Sequence, residues 1–313
     1  MAFKRAPQVF TSSINEVTFG TGNKAVTIGG GNTMPMYTFD APAKHKVAIG
    51  VEITDEGVDK TLPGMAEFYE GADSIADIAK RASQMPGADF VVLALNGADP
   101  NAGNRPVEEC VEIAAQVADA IDVPLAISGS KNIEKDTELF GKLAEKLTGK
   151  NVLFISAREE NYKNIAASAV MAYNSKISAE SAVDINLAKQ LNVLLSQMGI
   201  QAGSYVMNVG SAAAGYGYDY VASTLDRVKD AALSQNDAML QMPIITPVSQ
   251  EAWSVKEALV SEEDYPEWGS RESRGVSMEI STAAAVIAGG ADAVILRHPQ
   301  SVATISGLVA GLM

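Results

Sequence analysis

From residue 45 onward the chain alternates short, nearly unbroken apolar runs with longer stretches in which apolar residues recur every three or four positions. A run such as Phe90-Val91-Val92-Leu93-Ala94-Leu95 has no polar face, as expected of a parallel strand covered on both sides. Eight such strands are expected, at Lys46–Ile53, Asp89–Leu95, Pro124–Ser128, Asn151–Ser156, Lys176–Ala179, Ser204–Asn208, Pro243–Thr246 and Ala293–Leu296. The segments between them carry helical spacing: Ile75, Ile78, Ala79 and Ala82 in one, Cys110, Ala114, Val117 and Ile121 in another, Leu187, Leu191, Leu194 and Met198 in a third. Pro106 suits a first helical position, Asp184 can cap a helix from Ile185, and Gly199 fits a left-handed stop. Eight strand–helix pairs over residues 45–313 predict an α/β fold of the (β/α)8 TIM-barrel type, with an open doubly wound sheet as the alternative.

Residues 1–44 fall outside that rhythm and form an N-terminal extension. Val17-Thr18-Phe19 and Ala25-Val26-Thr27-Ile28 flank a Gly-Thr-Gly-Asn turn, which reads as a β-hairpin ahead of the barrel. The same turn approximates a dinucleotide fingerprint, but the segment after it is strand-like, and the helix that such a site requires is missing.

Composition narrows the function. The 313 residues carry a formal charge of −14, with no basic cluster, so a phosphate backbone would be repelled and a nucleic-acid role is not expected. No run of apolar residues is long enough to span a bilayer, and Met1–Pro7 has no apolar run behind its charges, so a cytoplasmic protein is expected. The single cysteine, Cys110, lies on an apolar helix stripe and reads as core; a [4Fe–4S] cluster needs about four thiolates, so this chain cannot hold one by itself.

In a parallel barrel the functional face lies at the C-terminal ends of the strands. Those ends supply Glu52, Asn96, Asp99, Ser128, Gly129, Ser130, Ser156, Glu180, Asn208, Gly210, Thr246, Arg297 and His298. The set is rich in hydroxyls, amides and glycines, which suits hydrogen bonding to a polar ligand better than acid–base catalysis. Glu52 and Glu180 could pair as catalytic carboxylates or anchor loops. His298, followed by Pro299, could face a ligand or fix its loop. No lysine sits on the sixth strand for Schiff-base chemistry, and with two histidines no metal site is compelling. Gly210 to Tyr220, which includes Gly215 and Tyr216, would let backbone approach a bulky ligand closely. The segment from Val248 to Gly275 is long for a connection and holds Trp253 and Trp268 among seven acids and three bases, so it reads as a lid or an interface.

Several of these segments occur in an order that can be compared with a family: Asn96-Gly97-Ala98-Asp99-Pro100-Asn101, Ser128-Gly129-Ser130 with Lys135-Asp136, Gly215 to Tyr220, Leu240-Gln241-Met242-Pro243, Trp268-Gly269 with Arg274-Gly275, and Gly290-Ala291-Asp292 with His298-Pro299. Together they resemble the small (delta) subunit of the corrinoid iron–sulfur protein, part of the carbon monoxide dehydrogenase/acetyl-CoA synthase system. The resemblance implies a (β/α)8 barrel paired with a large subunit that carries the [4Fe–4S] cluster and a corrinoid-binding domain. It implies a cobalamin capped at that interface, and partners that include a methyltetrahydrofolate:corrinoid methyltransferase and acetyl-CoA synthase. Rim position then nominates Asn96, Ser128, Gly129, Ser130, Asn208, Gly210, Gly215, Tyr216, Thr246 and His298 as cofactor contacts. The alternative is a pterin-binding methyltransferase acting on methyltetrahydrofolate, with Asn96, Asp99 and Asn208 holding the pterin.

Overall fold

The computed structural model describes residues 6–8 and 10–313; Met1–Arg5, considered above for a leader, lie outside the described residues. In chain order the elements are β1 (Glu16–Phe19), β2 (Val26–Gly29), β3 (Ala48–Thr54), α1 (Pro63–Phe68), α2 (Ile75–Ser83), β4 (Phe90–Ala94), α3 (Val107–Ala120), β5 (Leu125–Ser128), α4 (Ile133–Lys146) and β6 (Leu153–Ala157). Then follow α5 (Tyr162–Ile165), a π-helical turn Ala166–Met171, β7 (Lys176–Glu180), α6 (Ile185–Gln197), β8 (Tyr205–Asn208), α7 (Tyr218–Leu233), β9 (Ile245–Thr246), α8 (Val248–Ala252), α9 (Lys256–Leu259), α10 (Arg271–Ala288), β10 (Ala293–Leu296) and α11 (Pro299–Leu312).

The strands β3 to β10 form one parallel sheet in the order β8-β7-β6-β5-β4-β3-β10-β9. Its two edges meet where the Met207 N–H donates to the Pro243 carbonyl at 2.8 Å and Met207 bridges Ile244, which closes the sheet into the expected (β/α)8 barrel. Each expected strand overlaps an observed one, but six of the eight begin one or two residues later than expected. Asp89 and Asn151 lead into strands with side chains that bind neighbouring backbone: Asp89 accepts the Ile49 N–H, and Asn151 donates to the carbonyls of Thr18 and Gly20. At the other ends Thr54, Ala157 and Glu180 extend the strands beyond the expected limits.

The helix signals translate into geometry. Ser74 and Asp77 form a reciprocal capping box at the start of α2, Asp184 accepts from the Asn186 and Leu187 N–H groups, and Gly199 has φ of 83° just beyond α6. Pro106 sits at the N-cap of α3 in an extended conformation, one residue earlier than expected. On α6 the buried stripe is Ala188, Leu191 and Leu195, with Leu187 and Leu194 half-buried, a small rotation from the expected face.

Alternation along the strands separates two cores. Val91, Leu93, Ile127 and Phe154 face the helices. Ala48, Phe90, Val92, Ala126, Leu153, Ile155, Val206, Ile245, Ala293 and Ile295 fill the barrel interior. The hairpin β1–β2 does more than precede the barrel: Val17, Phe19 and Ile28 are fully buried in that inner core and plug its N-terminal mouth. Phe19 meets Phe90 edge to face, with ring centroids 5.1 Å apart. Space for Phe90 comes from Gly50, where a Cβ would lie 2.4 Å from the Phe90 ring. Gly50→Ala should therefore destabilise the chain by about 1–3 kcal/mol, measured as a lowered midpoint of chemical unfolding, and a second change, Phe90→Leu, should recover part of the loss.

Candidate functional site

The C-terminal mouth of the barrel holds a cavity of about 180 Å³. Its floor is the top of the inner core, Val92, Ile155 and Ile295, and its sides are polar. Strand alternation aims every second residue inward, so Ser128 on β5 and Asn208 on β8 reach the cavity, with Gly129 and Gly210 just beyond them.

The Ser128-Gly129-Ser130 turn is held by Asp136. That carboxylate accepts from the Ser130 N–H (2.7 Å), the Ser130 hydroxyl (2.7 Å) and the Lys131 N–H (2.9 Å). Gly129 is required because a Cβ there would fall 2.5 Å from the Asp136 carboxyl group. Asn132 then caps α4 by accepting the Lys135 N–H. Ser130 is thereby committed to the turn, which sets Ser128, Gly129 and Lys131 in the cavity wall.

On the next two strand ends, Arg158 places Nε and Nη2 each 3.0 Å from Glu180 Oε1, and Nη1 reaches the Lys131 carbonyl at 3.2 Å, which ties three consecutive loops together. A register shift in β6 between Ile155 and Ala157 frees Ser156, whose hydroxyl accepts from Asn208 Nδ2 at 3.0 Å. Asn208 Oδ1 accepts the Gly210 N–H at 3.0 Å, and Gly210 has φ of 82°. Across the mouth, Arg297 Nη2 lies 2.6 Å from the buried Glu52 carboxylate, and Gln250 donates to its second oxygen at 3.2 Å. Glu52 and Glu180 are thus each matched by an arginine and do not form a carboxylate pair. Lys131, Ala182 and Val183 line the mouth with φ of 69°, 44° and 62°. Positive φ is unusual for non-glycine residues, and most so for a β-branched valine, so local strain is concentrated at this rim.

The remaining nominated residues lie elsewhere. Thr246, fully buried, falls on the helix-facing phase of β9, because Ile245 takes the inward position. Asn96 opens into a separate hollow lined also by Glu52 and Arg297, and Asp99 serves its own turn by accepting from Asn101; Asn96 and Asn208 thus line different hollows. Tyr216 and Gly215 stand on the flank, where the Tyr216 hydroxyl donates to Glu257 at 2.6 Å. His298 is buried at the N-cap of α11: Nδ1 accepts the Gln300 N–H, so Nε2 carries the proton and donates to Glu272 at 3.0 Å. Trp253 stacks on that imidazole at 5.9 Å, whereas Trp268 stays partly exposed against Tyr265. Of the two roles considered for the tryptophans, Trp253 anchors the segment and Trp268 faces outward.

Residues 16–308 match the family model described as CO dehydrogenase/acetyl-CoA synthase delta subunit. The chain belongs to this delta-subunit family. Among curated relatives it is 33% identical over 304 residues to the acetyl-CoA decarbonylase/synthase complex subunit delta of Archaeoglobus fulgidus, covering 93% of this chain and 67% of the relative. It is 30% identical to subunit delta 1 of Methanosarcina thermophila, covering 95% and 70%. The delta-family chain thus spans about two-thirds of the length of such relatives. Among solved structures it is similar to the 7,8-dihydropteroate synthase of Vibrio fischeri, with a TM-score of 0.58 and 12% identity over 94% of this chain and 97% of that one, a likeness of fold alone.

The geometry adds Asp136 to the residues that build the mouth. Asp136 appears in the ordered motifs but was not nominated, and its spacing after Ser130, within a short loop that opens a helix, is the signal of a loop clasp. Burial pushes the Asp136 carboxyl above its ordinary range, opposed by the hydrogen bonds from Ser130 and Lys131. A carboxyl raised in the fold binds more protons folded than unfolded, so its contribution to stability falls as pH rises from the usual aspartate value through the raised one. Asp136→Asn should remove that slope from the stability–pH profile and destabilise the turn by about 1–3 kcal/mol, read from urea midpoints at a series of pH values.

Proposed function

We propose that this chain is the barrel subunit of a corrinoid methyl carrier. In this reading it covers one face of a cobalamin at the interface with a large subunit that holds the [4Fe–4S] cluster. It supports methyl transfer from methyltetrahydrofolate, through a separate methyltransferase, to acetyl-CoA synthase in the cytoplasm. The observation that carries the reading is the character of the mouth: Glu180 and the neighbouring Glu52 each matched by an arginine, hydrogen-bonding groups around an apolar floor, and a volume of only about 180 Å³. Sites that engulf a small molecule have volumes of about 300–1,000 Å³, so a corrin macrocycle would lie across this mouth and need a second chain over its other face.

The donor set suits the carboxamide-fringed edge of a corrin. Among the described residues the Ser211 hydroxyl is buried without a partner at the cavity wall, and the Ser128 hydroxyl and the Lys131 ammonium make no hydrogen bond. These groups would bind and orient the edge, while Val92, Ile155 and Ile295 would keep water from the covered face. When bound, the corrinoid supplies the cobalt that carries the methyl group. Each of the chain's own contributions is one of binding, positioning and exclusion of water.

Co-expression with the large subunit tests this. The pair should purify as a coloured corrinoid complex, while the chain alone retains little cobalamin. Ser128→Ala combined with Ser211→Ala should weaken retention about tenfold, corresponding to about 1.4 kcal/mol. Tight stoichiometric binding by the isolated chain would defeat the shared-site reading. Micromolar binding of methyltetrahydrofolate to the isolated chain, with methyl transfer to free cob(I)alamin, would establish the methyltransferase instead.

A further inference from the structure

Beside the main mouth, on the far side of the Glu52–Arg297 pair, lies a second hollow of about 320 Å³ between the ends of β3 and β4 and the helices α1 and α2. It adjoins another of about 300 Å³, with which it shares Glu56, Gly57, Val58, Tyr69 and Ile78. Either alone reaches the range of about 300–1,000 Å³ typical of small-molecule sites. Met65, Val58 and Ile78 give the larger hollow an apolar wall.

Its polar groups are underused. The Tyr69 side chain is buried, and its hydroxyl has no hydrogen-bond partner among the described residues. Burial holds the phenol protonated, well above its ordinary range, so it remains a donor. A buried hydroxyl left unpaired costs free energy, which a ligand acceptor would recover. Arg297 spends Nε and Nη2 on Glu52, and its Nη1 has no partner among the described residues. The Asn96 side chain and the Glu56 carboxylate also make no bond among the described residues, and both are exposed at the opening. The available set is therefore donors from Tyr69, Arg297 and Asn96, with acceptors from Glu56 and Asn96.

That set discriminates between ligand classes. A carboxylate or phosphate would meet Glu52, Glu56 and Asp59, against a single guanidinium already paired with Glu52. An ammonium would be drawn to Glu56 but, as a donor only, would leave the Arg297 Nη1 group unmatched. A neutral group that offers a carbonyl oxygen next to an N–H satisfies both sides. We propose that this hollow is a binding site for a small, flat amide- or lactam-type molecule, its carbonyl on Tyr69 and Arg297 and its N–H on Glu56. The site is separate from the corrinoid-covering mouth and does not depend on that reading.

Ligand-observed NMR on the full chain with benzamide and 2-pyridone as probes, and with benzoate and benzylamine as charged controls, tests the assignment. Saturable binding of the two neutral probes is expected, with the controls weaker. Tyr69→Phe should weaken benzamide about five- to tenfold, the loss of one hydrogen bond, while leaving the melting temperature of the free chain equal or higher. Glu56→Gln, on an exposed residue that leaves the fold intact, should weaken 2-pyridone similarly. No saturable binding of either neutral probe, preferential binding of benzoate or of benzylamine, or unchanged affinity in both variants would overturn the proposal. Corrinoid retention by the co-expressed pair is read separately, so either site can fail without the other.

Discussion

Phe19 and Phe90 meet edge to face inside the lower barrel, and most of what this protein can do at its upper end follows from that contact. A closed parallel barrel has an interior that must be filled. Here the lower part is filled by aromatics and by the hairpin β1–β2, with Gly50 conceding the volume. Higher up, the inward positions become Glu52, Ser128, Glu180 and Asn208, which cannot be stacked into an apolar layer. The inner core ends at Val92, Ile155 and Ile295, and a shallow polar mouth begins directly above it.

A polar mouth above an apolar core has to neutralise its own charges. Glu52 is buried and would be costly alone, and Arg297 supplies the compensating charge from the adjacent strand. Arg158 does the same for Glu180. These pairs leave a rim of hydrogen-bonding groups around an apolar floor. Glu279 adds a further clamp: fully buried, with its carboxyl raised by burial, it accepts the backbone N–H groups of Arg297 and His298 and fixes the end of β10.

The segment between β9 and α10 is folded onto this scaffold by cations at the start of α10. Arg271 reaches the Ala258 carbonyl, Thr61 and Asp59, while Arg274 binds the carbonyls of Glu257, Gly269 and Val260, so the acidic segment is folded around two cationic posts. A Cβ at Gly275 would lie 2.3 Å from the Trp253 ring, so the glycine lets α10 approach the buried indole. Lys256 lies over the Tyr265 and Trp268 rings on the outer side. One tryptophan thus secures the segment and the other is left for the surface.

The sequence alone determined the barrel, because unbroken apolar runs alternating with helical stripes have few other ways to bury themselves, and it located the rim, because parallel strands gather their outgoing loops at one end. It also pointed to Ser128, Gly129, Asn208 and Gly210, which sit at inward phases of strands or just beyond them and meet in one cavity. Proximity between distant segments was decided only by the tertiary structure. Thr246 lost its place to the phase of β9, Asn96 went to a second hollow, and His298 was drawn under Trp253. Arg158 with Glu180, and Arg297 with Glu52, became partners because barrel closure sets neighbouring strand ends side by side. Strand period assigns a residue to a face, whereas the pairing of charges and the shape of a cavity depend on which loops the closed sheet brings within reach.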